Sequence, residues 1–341
     1  MKQRIDYRLW AGIGISLFFL VLLFRKIDFH RLGALLSTAD YRYLLLAIVF
    51  TFVSYFMRAV RWKYILIVEK DIALSALYPP TIIGYMANNL LPARLGELVR
   101  AYTLASKEQL TTPTVIASLV IDRLCDGFSV MLILVATLFT LDLPPAMREA
   151  ESTVRAGGLV MFLAYAAIVL FLFLLKRYTT RTLLVLGRLL KPFPASWAER
   201  LIPVLGNFIG GIQLSSRSRH LMMISLSSLV IWFFCIIPID MVLRSFGISL
   251  PFAGSMFIMV LLVFAVMVPA SPGYVGTYHY ACYKGLSAFQ IGEEQAMGIA
   301  IVIHAVGFFP VILAGFYHLW REKLSFSDMR NAGGTCGKGV S

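Results

Sequence analysis

Apolar positions along the chain fall into runs too long and too continuous for the core of a soluble domain. Runs near 9–24, 43–65, 112–141, 157–175, 221–243 and 295–319 predict six full transmembrane helices. At ~1.5 Å per residue each spans, or nearly spans, the ~30 Å of a bilayer's hydrocarbon. Two further runs, 73–105 and 252–289, are just as apolar but carry helix breakers in the middle. The first breaks at Asn88-Asn89-Leu90-Leu91-Pro92-Ala93-Arg94-Leu95-Gly96-Glu97. The second breaks at Pro269-Ala270-Ser271-Pro272-Gly273-Tyr274-Val275-Gly276. Backbone leaves a helix at membrane depth only where protein or a wet cavity satisfies the freed N–H and C=O groups. Each interrupted run therefore predicts a re-entrant hairpin rather than a straight span, with Pro92, Gly96, Pro272, Gly273 and Gly276 as the structural breaks.

The order span, span, hairpin, span occurs twice, over 9–141 and again over 157–319. Three full spans per half set the halves in opposite orientations. That is the plan of an inverted repeat, in which paired broken segments point to a substrate site near the midplane. The expected fold is thus an all-α integral membrane protein of six spans and two re-entrant helical hairpins, built as an inverted repeat.

Composition supports this class. Hydrophobic residues make up 59% of the 341 and charged residues 14%, with a mean hydropathy of +0.79; soluble domains carry about 25% charge. A single polytopic domain over 1–325 is expected, followed by a flexible tail over 326–341. The first span has a basic flank (Lys2, Arg4, Arg8) and no small-residue cleavage site, which reads as an uncleaved anchor. Counting charge by loop, with Arg58 and Arg61 assigned to the loop after the second span, gives 20 Lys/Arg on one side and 8 on the other. The positive-inside rule then puts both termini in the cytoplasm and the chain in the cell membrane. This asymmetry accounts for the net charge of +13 without nucleic acid. The segment 176–220 alternates basic residues with leucine clusters and predicts a connector lying in the membrane interface. Cys125, Cys235, Cys282 and Cys336 show no metal-ligand or disulfide spacing, so no metal or other cofactor is expected.

Charges inside the apolar runs carry the candidate chemistry, because each costs at least ~2.5–3.5 kcal/mol at a helix centre. Asp122 and Asp126 are four apart and share a helix face, so a cation or a proton must relieve their repulsion. Arg123 projects about 100° away from that face, and Arg94 or Arg100 of the first hairpin are the partners in reach. Arg94, Glu97 and Arg100 recur at three-residue spacing after the first break, with Asn88 and Asn89 before it. Guanidinium forks suit a phosphate, and Glu97 suits an ammonium or hydroxyl; the same charges also suit an internal ion-pair network holding the hairpin. Asp240 and Arg244 form an interfacial pair at i,i+4. Tyr274 and His279, beside Tyr278 and Tyr280, fit either a cavity lining or an interfacial aromatic belt, the belt being favoured. His304 reads as a hydrogen-bonded core residue.

Pro92-Ala93-Arg94-Leu95-Gly96-Glu97-Leu98-Val99-Arg100, followed by Asp122-Arg123-Leu124-Cys125-Asp126, resembles the P-x-R-x-G-E-x-x-R and E-R-x-x-D motifs of the lysylphosphatidylglycerol synthase transmembrane-region family. Pro272-Gly273-Tyr274-Val275-Gly276 is similar to its later P-G-G-x-G motif. Two departures stand out: Asp122 where the family commonly has Glu, and Thr277 and His279 where an acid commonly follows. The family's larger members add a soluble aminoacyl-transferase domain, whereas this chain stops at Ser341, shortly after its last span. The resemblance implies the membrane half alone, a flippase-like protein that moves a phospholipid or lipid-linked headgroup between leaflets. The expected site is a polar cavity at Asn88, Asn89, Arg94, Glu97, Arg100, Asp122, Arg123, Asp126, Tyr274 and His279, and the expected partners are anionic or lipid-linked substrates and membrane lipid. No G-x-x-x-x-G-K-[ST] nucleotide loop occurs. A membrane-embedded glycosyl or phosphoryl transferase on polyprenyl-linked substrates, or an accessory subunit of such an enzyme, is the alternative.

Overall fold

The computed structural model of the chain describes residues 33, 36–91, 95–141, 151–190, 195–213, 215, 217–267 and 272–322. Expectations for the first span (9–24), the tail (326–341), Pro92, Arg94 and Cys336 lie outside them. The described residues are helical throughout, with short connections. In chain order the helices are α1 (Tyr41–Leu66), α2 (Leu74–Leu90), α3 (Gly96–Glu108), α4 (Thr112–Thr140), α5 (Glu151–Arg177), α6 (Thr179–Leu189), α7 (Ala195–Gly211), α8 (Ser218–Ser245), α9 (Phe252–Met267), α10 (Thr277–Ser287) and α11 (Glu293–Arg321).

Helix starts follow capping chemistry. The Asp40 carboxylate accepts from the Arg42 N–H at 3.0 Å to open α1, and the Thr111 hydroxyl caps α4 with a proline in its first turn. Among the described residues, four helices are long and apolar enough to cross a membrane: Tyr41–Leu66, Gly158–Arg177, Ser218–Ser245 and Glu293–Arg321. Helix α4, at 29 residues, has the length as well, but holds Asp122, Arg123 and Asp126 near its middle.

Both interrupted runs are helix–break–helix pairs. Helix α2 stops at Leu90, and Leu91 is extended (φ −97°, ψ 143°), as a residue before proline must be. Helix resumes as α3 at Gly96, where an added Cβ would collide with the Gly84 carbonyl and the Asn88 amide. Helix α9 stops at Met267, and a short 3-10 turn over Pro272–Tyr274 precedes α10. Gly273 (φ 68°) and Gly276 (φ 97°) occupy the left-handed region there, which glycine adopts without a Cβ penalty. The breaks meet: the Tyr274 hydroxyl donates to the Asn88 carbonyl at 3.3 Å, and Val275 packs on the cluster formed by Met86, Leu90, Val99 and Phe308.

Packing brings the two runs of elements together reciprocally. Helices α1 and α8 lie along each other, α2 packs on α11, and α9 packs on α4. Close approach of α11 to α2 depends on Gly315, whose missing side chain leaves room for Met86. The largest apolar cluster draws on α1, α4, α8, α9, α10 and α11, including Ile231, Val242, Ile258, Leu286 and Ile299. Within the connector, α7 packs against α4 through Gly211, next to Thr114 and Ala117. Helix α5 stands apart, exposed along most of its length, and touches α4 through the Tyr165 hydroxyl, which donates to the Leu124 carbonyl at 2.8 Å.

Candidate functional site

At the centre, α1, α3 and α4 converge on a buried ion network. The Arg61 guanidinium bridges the two aspartates of α4: Nε donates to Asp122 Oδ1 at 2.7 Å and Nη2 to Asp126 Oδ1 at 2.8 Å. Its remaining nitrogen donates to Ser228 Oγ of α8 at 3.2 Å. Arg61 and Asp122 have fully buried side chains, so this fork supplies the cation that carboxylates four residues apart demand. Arg100 from α3 reaches Asp122 Oδ2 at 3.0 Å, with its guanidinium stacked 3.9 Å from the Trp62 ring. Arg58 reaches Asp126 Oδ2 at 3.0 Å, and the Trp232 indole N–H donates to Asp126 Oδ1 at 3.2 Å.

Arg123 corrects the reading that its helical phase made it no obvious partner of Asp122 and Asp126. Its flexible stem curls back along α4, so that Nη1 lies 3.2 Å from Asp126 Oδ2 while Nη2 lies 3.2 Å from Glu97 of the first hairpin. Helical phase alone gives the direction of the Cβ, not the reach of a long side chain. Arg58 and Arg61 correct the loop count as well. Both sit inside α1, buried, and not in the loop after it; the asymmetry of charge survives without them. Their spacing of three, in an apolar stretch, was the available signal: two unpaired carboxylates on one helix call for cations at matching spacing on another.

The other predicted residues divide. Asn88 holds the first break, its Oδ1 accepting from the Gly96 N–H at 2.9 Å and its Nδ2 lying 3.4 Å from Glu97 Oε1. No described bond links Asn89 to the charged cluster. Arg94 and Pro92 lie outside the described residues. Tyr274 joins the breaks as described above, but His279 stands away from the arginines. Its ring is buried against His304 at 4.8 Å, and Tyr278 lies 4.7 Å from His304. The favoured aromatic belt therefore does not describe Tyr278 or His279, which pack inward; Tyr280 alone of the three is exposed, at 61%. Asp240 and Arg244 pair at 2.6 Å.

Four guanidiniums (Arg58, Arg61, Arg100, Arg123) face three carboxylates (Glu97, Asp122, Asp126), leaving one positive charge over. Among the described residues, buried Arg58 Nε, Arg100 Nε and Arg100 Nη2 find no hydrogen-bond acceptor. Beside Arg58, but not Arg100, opens a cavity of about 580 Å³, within the ~300–1,000 Å³ range of small-molecule sites. Arg58, Arg123 and Asp126 form its charged end, and Met259, Leu262, Ile303 and Val306 are among its apolar walls. Met267 and Tyr278, flanking the second break, also line it. The hollow is thus mostly apolar with a charged floor, where a polar one was expected. A second hollow of about 470 Å³ lies between α4, α5 and α8, separated from the first by Tyr165.

An all-helical bundle with several membrane-length helices, two broken hairpins and charges buried at its heart is a multi-pass membrane protein. The chain belongs to the lysylphosphatidylglycerol synthase transmembrane-region family, which matches residues 9–315. It is similar to a UPF0104 membrane protein of Pyrococcus horikoshii, 25% identical over 93% of this chain and 97% of that one. A UPF0104 membrane protein of Methanothermobacter thermautotrophicus is also 25% identical, over 82% and 85% of the two chains. A third relative, the glycosyltransferase AglD of Haloferax volcanii, is 25% identical over 92% of this chain but only 55% of its own length.

Proposed function

We propose that the chain is a flippase-like lipid carrier, accepting a phosphate-bearing amphiphile (a phospholipid or a lipid-linked headgroup) in the cavity beside the second break. One observation carries the reading: a mostly apolar cavity whose charged end is formed by Arg58, Arg123 and Asp126, with Arg58 Nε left without an acceptor among the described residues. An acyl chain moves from the bilayer onto such walls without a desolvation cost, and a phosphate matches the forks and the surplus charge. In this reading Arg58 and Arg123 face the phosphate, while Asp122 and Asp126 hold the arginines in place. Asn88, Glu97 and Tyr274 shape the hairpin beside them. The hairpins re-enter from opposite leaflets as halves of an inverted repeat; reciprocal packing of α2 on α11 and α9 on α4, about the α1–α8 pair, supports this.

Reconstituted into vesicles carrying a fluorescent anionic phospholipid, the protein is expected to speed leaflet exchange, and Arg123→Gln to slow that rate at least ~10-fold, the loss of one charge-assisted contact. Exchange in Arg123→Gln and Asp126→Asn at the parent's rate would remove the site from the mechanism.

The name of the Haloferax relative favours a second reading, a membrane part of a machine that transfers sugars or phosphoryl groups on polyprenyl-linked substrates. Asp122 and Asp126 are the acids a divalent cation would need, and both already face guanidiniums. Among the described residues no cluster of three metal-ligating side chains occurs. Turnover of a polyprenyl-phosphate sugar by the purified chain would favour this reading over transport.

A further inference from the structure

Tyr85 is the feature of this site that neither its motifs nor its charge balance requires. It sits on α2 less than a turn before Asn88, and its hydroxyl oxygen is held by two cations. Arg58 Nη1 donates to it at 2.9 Å and Arg123 Nη2 at 2.6 Å. Both guanidinium carbons also lie near its ring, at 5.2 and 5.6 Å from the centroid. A phenol oxygen offers two lone pairs, and here both face guanidinium N–H groups. That is the environment of a phosphate or carboxylate oxygen, occupied here by a phenol. The surplus positive charge of the cluster stays unneutralised while Tyr85 is there.

Resting on the reading that this site takes a phosphate-bearing lipid, we infer that the Tyr85 hydroxyl is a built-in stand-in for a phosphate oxygen. It fills the Arg58–Arg123 fork in the empty protein and is displaced when the phosphate enters. The displacement has a mechanical address. Tyr85 and Asn88 lie three apart on α2, and Asn88 ties both breaks, through Gly96 N–H and Tyr274 Oη. Moving Tyr85 out of the fork turns the end of α2 and loosens both hairpins together, so that the arrival of ligand is reported to the elements that must move. The cost of expelling an internal ligand lowers the apparent affinity by the fraction of protein in which the fork is open.

The test is equilibrium binding to the purified full chain in detergent, with dihexanoyl phosphatidic acid as the probe and inorganic phosphate in parallel. Tyr85→Phe keeps the ring that packs 4.9 Å from Tyr55 and removes only the competing oxygen. It is expected to bind the lipid probe about tenfold more tightly than the parent. Inorganic phosphate is expected to bind more weakly than the lipid, since it leaves the apolar walls empty; equal affinity, with the same gain in Tyr85→Phe, would keep the stand-in and assign the site to free phosphate. If the parent binds the probe and Arg58→Gln weakens it, but Tyr85→Phe binds equally or less well, the inference fails and the lipid site stands. If the probe binds neither parent nor Tyr85→Phe, the lipid site fails and takes the inference with it.

Discussion

Arg61→Ala is expected to yield a protein that does not accumulate or that melts far below the parent. Removing this side chain leaves Asp122 and Asp126 stacked on α4 without the fork that bridges them, and leaves the Ser228 hydroxyl without its donor. Breaking a buried pair by deleting one partner costs ~3–5 kcal/mol, a large part of the 5–15 kcal/mol that holds a typical protein together. Lysine at this position should rescue little, because an ammonium cannot reproduce a planar fork to two carboxylates and a hydroxyl. Arg61→Met combined with Asp122→Asn should recover part of the loss, since it removes one charge of each sign. Fluorescence-detected size-exclusion and thermal melts in detergent read the result. An Arg61→Ala protein melting within about 1 kcal/mol of the parent would mean that other cations already satisfy the pair.

The second large effect falls on the first break. Gly96→Ala places a methyl group against the Gly84 carbonyl and the Asn88 side chain. Neither can yield cheaply: one is helix backbone, and the other is fixed by its bond to the Gly96 N–H. Overpacking of this kind costs ~1–3 kcal/mol where neighbours can shift, and more where they cannot. Arg100 rides on the same helix as Gly96, so displacing α3 also pulls a cation from Asp122. Expected outcomes are a lowered melting temperature and slowed leaflet exchange, whereas Gly210→Ala, near the end of α7 with open space around it, should leave both close to the parent. Equal behaviour of the two variants would show that α2 and α3 are not closely packed.

Much of the helical layout was legible because apolar runs of 20 or more residues have few other fates. Both breaks were legible for a different reason: Pro92 and Pro272 lack a helix N–H and have glycines close by that favour a turn. Proline alone does not suffice, since Pro79, Pro80, Pro238 and Pro310 sit inside helices. The candidate site was only half legible. Asp122 and Asp126 announce themselves by their cost in an apolar helix, but Arg58 and Arg61 resemble ordinary charges at a span's end until packing shows them buried. Arg123 was misjudged because a four-bond stem reaches beyond the helical phase of its Cβ. Tyr85, Trp62 and Trp232 carry no charge, and aromatic residues in an apolar run give no sign of whether a guanidinium will lie on them. The apolar walls of the cavity come from five or more helices distant in sequence, so neither its shape nor its character follows from any local pattern.

Native mass spectrometry of the full chain released from membranes in mild detergent tests the central claim most directly. The parent is expected to retain one phosphate-bearing lipid per chain, and the Arg58→Gln/Arg123→Gln variant, folded by its melting curve, to lose it. A parent free of lipid, or a variant holding the same lipid at the same occupancy, would contradict the account.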